Sequence, residues 1–189
     1  MVRYGMIDIG SNTVRIVIYG LTDEIQYHEL WNEKESVRLR QYLENGILTE
    51  EGIGKLIVVL NRYKEIENRF KMVEFTVFAT QTIRMAENSQ DVISRVKKET
   101  GYDIRVLSED EECLLGFQGM KTYLKHQDEG LYVDLGGGSM ELVYFKNDEP
   151  VHYHSLDFGS IVLRNMIPDP IPNKKEMKLY KEFAINQFD

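Results

Sequence analysis

The chain has 189 residues, enough to bury one full core and part of another, and its 42% hydrophobic and 29% charged residues are ordinary for a globular protein. A formal charge of −8 argues against a general nucleic-acid or membrane surface, and no apolar run approaches the roughly 18 residues needed to span a bilayer. A single cysteine, Cys113, excludes an intrachain disulfide, and the N-terminus MVRYGMIDIG enters a strand pattern at once, leaving no room for a signal peptide; a cytoplasmic protein is expected.

Residues 2–9 and 14–20 are short apolar, β-branched runs flanking Gly10-Ser11-Asn12-Thr13, which predicts a hairpin with a Gly/Asn turn. A third strand is expected over 25–34. Ile53, Leu56, Ile57, Leu60 and Tyr63 recur at helical spacing and predict an amphipathic helix over 50–68. An apolar strand (72–79) follows. Then comes a helix from a Ser89 cap to Gly101, with Val92, Ile93 and Val96 facing inward. A strand over 103–107 and a helix over 110–125 complete the series. The order β-β-β-α-β-α-β-α means three antiparallel strands and then parallel crossovers.

At residue 131 the opening pattern returns. LYVDLGGGSMELVYF repeats the layout of YGMIDIGSNTVRIVIY, with Asp8 falling on Asp134, Gly10 on Gly136, Thr13 on Ser139 and Arg15 on Glu141. So long a period is not that of a solenoid and implies a duplicated domain. A third strand near 150–157 and a helix near 173–187 continue the second copy. One domain is therefore expected over 1–126 and the opening of a second over 127–189. A second copy this short should leave an apolar sheet face and edge uncovered, so that the chain by itself either self-associates, as a homodimer for instance, or is locally disordered after about residue 157, and in either case turns over poorly.

A strand–Asp–x–Gly–small–small–Ser/Thr–strand hairpin has a specific chemical use. Small residues let successive backbone N–H groups wrap a phosphate, and the hydroxyls of Thr13 and Ser139 add donors. Gly10, Ser11, Asn12, Thr13 and Arg15 in the first copy, and Gly136, Gly137, Gly138 and Ser139 in the second, are the candidate phosphate ligands. Asp8 and Asp134, at the strand ends, suit a divalent cation. An acidic chain that takes a polyanion needs such a focused site with a metal, and not a broad basic groove.

The paired turns resemble those of the acetate and sugar kinase, actin and heat-shock chaperone ATPase superfamily. Four segments, IDIGSNTVRIVIY, ATQTIRMAEN (79–88), SEDEECLLGFQGM (108–120) and DLGGGSMEL (134–142), together resemble the exopolyphosphatase and guanosine pentaphosphate phosphohydrolase family, and DFGSIVL (157–163) is similar to a GSVRL-like strand of that family. The resemblance implies an α/β, ribonuclease-H-like (actin-like ATPase) fold, with one complete domain and the start of a duplicate, and a cleft between the two hairpins. It implies removal of terminal phosphate from polyphosphate by metal-assisted attack of water, with guanosine pentaphosphate, and hence a place in the stringent response, as the alternative.

Carried over residue by residue, the family's catalytic glutamate falls on Glu112 and its arginine on Arg84. Its metal- and water-associated carboxylates fall on Asp134 and Glu141, with magnesium or manganese as the cation. The residues agree with these roles. Glu112 opens a helix after a strand and is placed to orient water, although an acidic first turn, Glu109 to Glu112, is also what a helix dipole favours. Arg84 supplies a bidentate phosphate partner. Three positions depart from the family pattern: Glu109 for glycine, Met140 for threonine and Gln81 for serine. They keep a second class of reading open, a phosphate- or nucleotide-binding sensor without catalysis. A kinase-like use of ATP would need an adenosine-binding motif that this chain lacks. His152 and His154 on a strand, and Lys174, Lys175, Lys178 and Lys181 on the last helix, read as exposed side chains, and Cys113 as a core residue.

Overall fold

The computed structural model describes residues 1–22, 26–123, 128–167 and 171–188. The chain forms two compact units, Met1–Ser108 and Glu109–Asp189. In the first, β1 (Val2–Ile9), β2 (Val14–Leu21) and β3 (Tyr27–Glu35) are followed by a 3-10 turn at Leu39–Tyr42 and a two-strand ribbon, β4 (Leu43–Glu44) with β5 (Ile47–Leu48). Then come α1 (Glu50–Glu67), β6 (Glu74–Ala79), α2 (Gln81–Met85), α3 (Ser89–Thr100) and β7 (Ile104–Val106). The sheet order is β3-β2-β1-β6-β7. β1, β2 and β3 pair antiparallel, while β1–β6 and β6–β7 are parallel. This is the ribonuclease-H-like order expected from the sequence.

Alternation drives the central strands. Ile7 and Ile9 of β1 are buried while Met6 and Asp8 face out, as a strand covered on one face requires. The α1 residues expected to face inward, Ile53, Leu56, Ile57, Leu60 and Tyr63, are all in the core. The Tyr63 hydroxyl is buried with its ring and donates to the Val14 carbonyl at 2.9 Å, so its polar atom is satisfied. Burial pushes the phenol pKa up to about 12.

Local chemistry moved several boundaries. Ser89 does not cap its helix: it is the first residue inside α3, and Asn88 occupies the cap position. The Asn88 side chain is committed elsewhere, accepting from the Leu48 N–H and donating to the Leu48 carbonyl, both at 2.9 Å. The β4–β5 ribbon, absent from the expected elements, turns at Asn45-Gly46, both with positive φ (49° and 79°). Asn-Gly is the dipeptide that such a tight hairpin favours. The third strand starts at Tyr27, and residues 23–25, including the start expected for it, lie outside the described residues.

The second unit begins with α4 (Glu109–Met120) and a 3-10 turn at Lys121–Tyr123. The last part of the expected helix and the expected boundary at 126 lie outside the described residues. By its contacts, α4 groups with the second unit, so the compact division falls earlier than that boundary. β8 (Glu129–Leu135), β9 (Met140–Lys146) and β10 (Glu149–Leu156) form an antiparallel sheet, followed by α5 (Ser160–Asn165) and α6 (Lys174–Ile185). The stretch read as a GSVRL-like strand (157–163) is thus irregular up to Gly159 and helical, as the start of α5, from Ser160 on. Its Gly159-Ser160 start leaves the sheet after Leu156, and strand pairing ends there.

One face of this sheet is covered by α4. Cys113 and Phe117 pack against Val143 and Phe145, with Tyr132 at their side. The opposite face presents Leu131, Val133 and Leu135 of β8, which are 61%, 49% and 50% exposed.

Candidate active site

The two glycine turns close in the same way. In the first, the Gly10 N–H donates to the Thr13 carbonyl at 2.9 Å; in the second, the Gly136 N–H donates to the Ser139 carbonyl at 3.0 Å. The duplication read from the sequence is therefore a duplication of backbone geometry.

What flanks each turn differs. Residues directly opposite on an antiparallel ladder share a face. In the first copy this pair is Asp8 opposite Arg15; in the second it is Asp134 opposite Glu141. The first pair sets a carboxylate against a guanidinium and the second sets two carboxyl groups against one another. Arg15 also directs its Nε to the Asn32 carboxamide oxygen at 2.8 Å.

The first turn is tied to the 79–84 segment. The Thr82 hydroxyl donates to the Ser11 hydroxyl oxygen at 2.8 Å, and both residues are buried. The Thr80 N–H donates to the Ile9 carbonyl at 3.2 Å. Arg84 lies in the last turn of α2, half-buried, and its guanidinium donates to the Leu107 carbonyl at 2.9 Å. That bond orients a planar fork with five N–H donors, the property needed to meet a phosphate group bidentately. Gln81 is buried beside it.

The second turn carries the carboxylates. Glu141 is only 4% exposed, and the Ser155 hydroxyl donates to its Oε1 at 3.0 Å. Burial raises the Glu141 pKa above the usual carboxylate range. The negative charges of Glu112 and Asp134 push the same way, against hydrogen bonds from Ser139 and Ser155. Glu112, in the first turn of α4, is thus within electrostatic reach of Glu141. The Tyr132 hydroxyl donates to Asp134 Oδ2 at 3.1 Å, and burial together with Asp134 raises the phenol pKa. Cys113, one residue beyond Glu112, is fully buried; burial and the charges of Glu141, Glu112 and Asp110 push its thiol up to about 11. A thiol so protonated is a core residue and not a nucleophile.

The donor set suits a hard divalent cation. Paired carboxyl groups at a strand end, one buried (Glu141) and one exposed (Asp134), favour positive charge and offer oxygen ligands on one face. Among the described residues no three His, Cys, Asp or Glu side chains converge closely enough to hold a metal by themselves. Magnesium fits that arrangement, because it commonly takes one or two carboxylates and completes its shell with water and substrate phosphate. Asp8, opposite a cation, is less suited to this role than Asp134.

The remaining positions keep to plain roles. Glu109 is exposed at the start of α4 and Met140 is half-buried at the start of β9. His152 and His154 are exposed, and His152 stacks on Tyr144 with ring centroids 6.4 Å apart. Lys174, Lys175, Lys178 and Lys181 are exposed on α6, with Lys178 3.5 Å from Glu182. Sequence reasoning missed Thr82, Tyr132 and Ser155. Each acts through strand register or a distant hydroxyl, which no local pattern shows.

Residues 17–188 match the Ppx/GppA phosphatase family. The chain belongs to that family. Among curated relatives it is 32% identical over 184 residues to exopolyphosphatase 1 of Mycobacterium bovis and to that of Mycobacterium tuberculosis, covering 96% of this chain and 54% of each relative. The chain thus spans about half the length of the curated relatives that it matches. Two solved structures in the family share its fold. A Ppx/GppA family member from Aquifex aeolicus is 31% identical with a TM-score of 0.80, covering 96% of this chain and 60% of that one. An exopolyphosphatase from Cytophaga hutchinsonii is 27% identical with a TM-score of 0.87, covering 96% and 59%.

Proposed function

We propose that this chain carries the phosphate-binding and water-activating part of a phosphohydrolase that releases terminal phosphate from inorganic polyphosphate. The observation that carries the reading is the buried Glu141 at a triple-glycine turn, with Asp134 opposite it and Glu112 in electrostatic reach. Relatives named exopolyphosphatase supply the substrate class.

In this reading each unit offers phosphate ligands of its own: the backbone N–H groups of the Gly10–Thr13 turn and the Arg84 guanidinium in the first, and the backbone N–H groups of the Gly136–Ser139 turn in the second. Glu112 orients water and accepts its proton as the new P–O bond forms and the bridging P–O bond breaks, the shortened polyphosphate leaving with the bridging oxygen. Asp134 and Glu141 would hold magnesium, which offsets charge on the phosphate oxygens when bound. Phosphoryl transfer asks for positioning and charge neutralisation more than covalent chemistry, and these residues supply both. A guanosine pentaphosphate 5′-phosphate would meet the same groups.

The test is phosphate release from long-chain polyphosphate and from guanosine pentaphosphate, with magnesium and with excess chelator. The chain should be assayed alone and extended to the length of its relatives. Magnesium-dependent release, faster from polyphosphate, is expected; release undiminished by chelator would remove the metal from the reaction. Asp134→Asn should raise the magnesium concentration for half-maximal rate by about 10- to 100-fold, the usual scale for disturbing a metal's surroundings.

Glu141 also predicts a pH dependence without metal. Its folded pKa is raised, so the native state keeps a proton that the unfolded chain releases. Stability is therefore full below the ordinary carboxylate range and falls as pH rises through it toward the raised value. Melting temperatures from pH 4 to 8 should show that fall, and Glu141→Gln should flatten it. An unchanged profile in the variant would remove Glu141 as its source.

A further inference from the structure

The triple-glycine turn poses a physical problem that its sequence does not solve. Peptide planes between glycines rotate at little steric cost, so Gly136-Gly137-Gly138 by themselves would not keep their N–H groups aimed in one direction. The structure holds those planes from behind. The Ser160 N–H and the Ser160 hydroxyl both donate to the Gly136 carbonyl, at 2.9 and 3.0 Å, and the Ile161 N–H donates to the Gly137 carbonyl at 2.9 Å.

In a trans peptide the carbonyl of one residue and the N–H of the next point in opposite directions, and the described chain has no cis peptide bond. Pinning the Gly136 and Gly137 carbonyls therefore fixes the Gly137 and Gly138 N–H groups away from the α5 segment. The approach is so close that a Cβ on Gly159 would lie 2.5 Å from the Gly137 carbonyl carbon and 2.6 Å from the carbonyl oxygens of Gly136 and Gly137. Gly159 has an ordinary extended backbone (φ −136°), so it is required for contact and not for conformation.

The first copy has a related device, shifted one residue along the turn and built from different residues. The Arg40 N–H donates to the Ser11 carbonyl at 3.0 Å and the Arg38 N–H to the Asn12 carbonyl at 2.7 Å. These fix the Asn12 and Thr13 N–H groups in turn. In both copies the strap is the segment after the third antiparallel strand, and it pins two successive peptides of the turn.

We infer that Gly159 and Ser160 are positioning residues that set the phosphate-binding edge of the second turn by holding its carbonyls from the opposite side. This rests on the reading of the turns as phosphate sites. The strap matters more in the second copy, because the first turn has side chains at Ser11, Asn12 and Thr13 and a further tie from Thr82.

The test follows the backbone amide resonances of Asn12, Thr13, Gly137 and Gly138 during titration with tripolyphosphate in magnesium buffer. In the unsubstituted protein all four should shift. In Gly159→Ala the shifts at Gly137 and Gly138 should vanish, those at Asn12 and Thr13 should persist, and affinity should fall about tenfold, as expected for lost charge-assisted bonds. Should Gly159→Ala not fold, Ser160→Ala should weaken the Gly137 response and Ser160→Thr, which keeps the hydroxyl, should restore it. A general loss of folding would not spare one turn or be rescued by threonine. Unchanged affinity and unchanged Gly137 and Gly138 shifts in Gly159→Ala, or in Ser160→Ala where that variant stands in, would overturn the strap. A response of the unsubstituted protein at Asn12 and Thr13 alone would overturn it too, and a response at neither turn would overturn the phosphate reading with it.

Discussion

Replacing Glu112 by glutamine is expected to lower phosphate release by about two to four orders of magnitude while substrate still binds, the usual scale for loss of a general base. Glu112 stands in the acidic first turn of α4, where a helix dipole by itself would account for Glu109, Asp110 and Glu111. What sets it apart is its electrostatic reach to Glu141, a carboxyl that sits buried at the second turn. Glutamine keeps the size and removes the proton acceptor, so KM should change little and kcat should collapse. The measurement is steady-state phosphate release with binding followed separately by calorimetry. Activity within a few-fold of the unsubstituted protein would take Glu112 out of the chemistry and leave it a helix-capping charge.

The second large effect concerns assembly. The α4-free face of the second sheet exposes Leu131, Val133 and Leu135 in a row on β8, an edge strand of that sheet. Among the described residues no strand pairs with the outer side of β8, and an apolar row beside an open strand edge is a template for another chain. We therefore expect this 189-residue chain to self-associate at micromolar concentration. Leu131→Lys combined with Val133→Lys should convert it to monomer, because two charges on that face oppose burial without touching the α4-covered core. Sedimentation velocity over a concentration series decides this. A monodisperse monomer at every concentration, before any substitution, would show that the face does not drive association.

Much of the first unit was legible because its elements are long and periodic. The α1 stripe from Ile53 to Tyr63 faces the core as its spacing requires, and the three opening strands pair as their alternation suggests. The repeat at Asp134 was readable because the turn chemistry of Asp8 recurs residue by residue. The errors share a cause in competition for a side chain or a segment. Asn88 holds the cap position of α3 with its side chain bridging the Leu48 backbone, a partner forty residues away that no local pattern shows. The 157–163 stretch is apolar enough to be a strand. It coils instead, because the Ser160 and Ile161 N–H groups are taken by the second turn and no ladder remains for them.

The site was legible in its motif residues and not in their support. Glu112, Arg84, Asp134 and Glu141 stand in recognisable local patterns. Thr82 on Ser11, Ser155 on Glu141 and Tyr132 on Asp134 depend on strand register and on contacts across the sheet. Such partners become visible only when the pairing is known. The charge contrast between the Asp8–Arg15 and Asp134–Glu141 pairs was present in the sequence once the copies were aligned, and register turned it into an argument for where a cation belongs.

Isotope transfer decides whether water attacks a terminal phosphoryl group held at these turns. Long-chain polyphosphate is incubated in ¹⁸O-enriched water with magnesium and the protein extended to the length of its relatives, and the released orthophosphate is read by ³¹P resonance. Single ¹⁸O incorporation into orthophosphate, abolished by Glu112→Gln, is the expected result. No orthophosphate from either polyphosphate or guanosine pentaphosphate, with both still bound, would contradict the hydrolase and make the chain a phosphate-binding module.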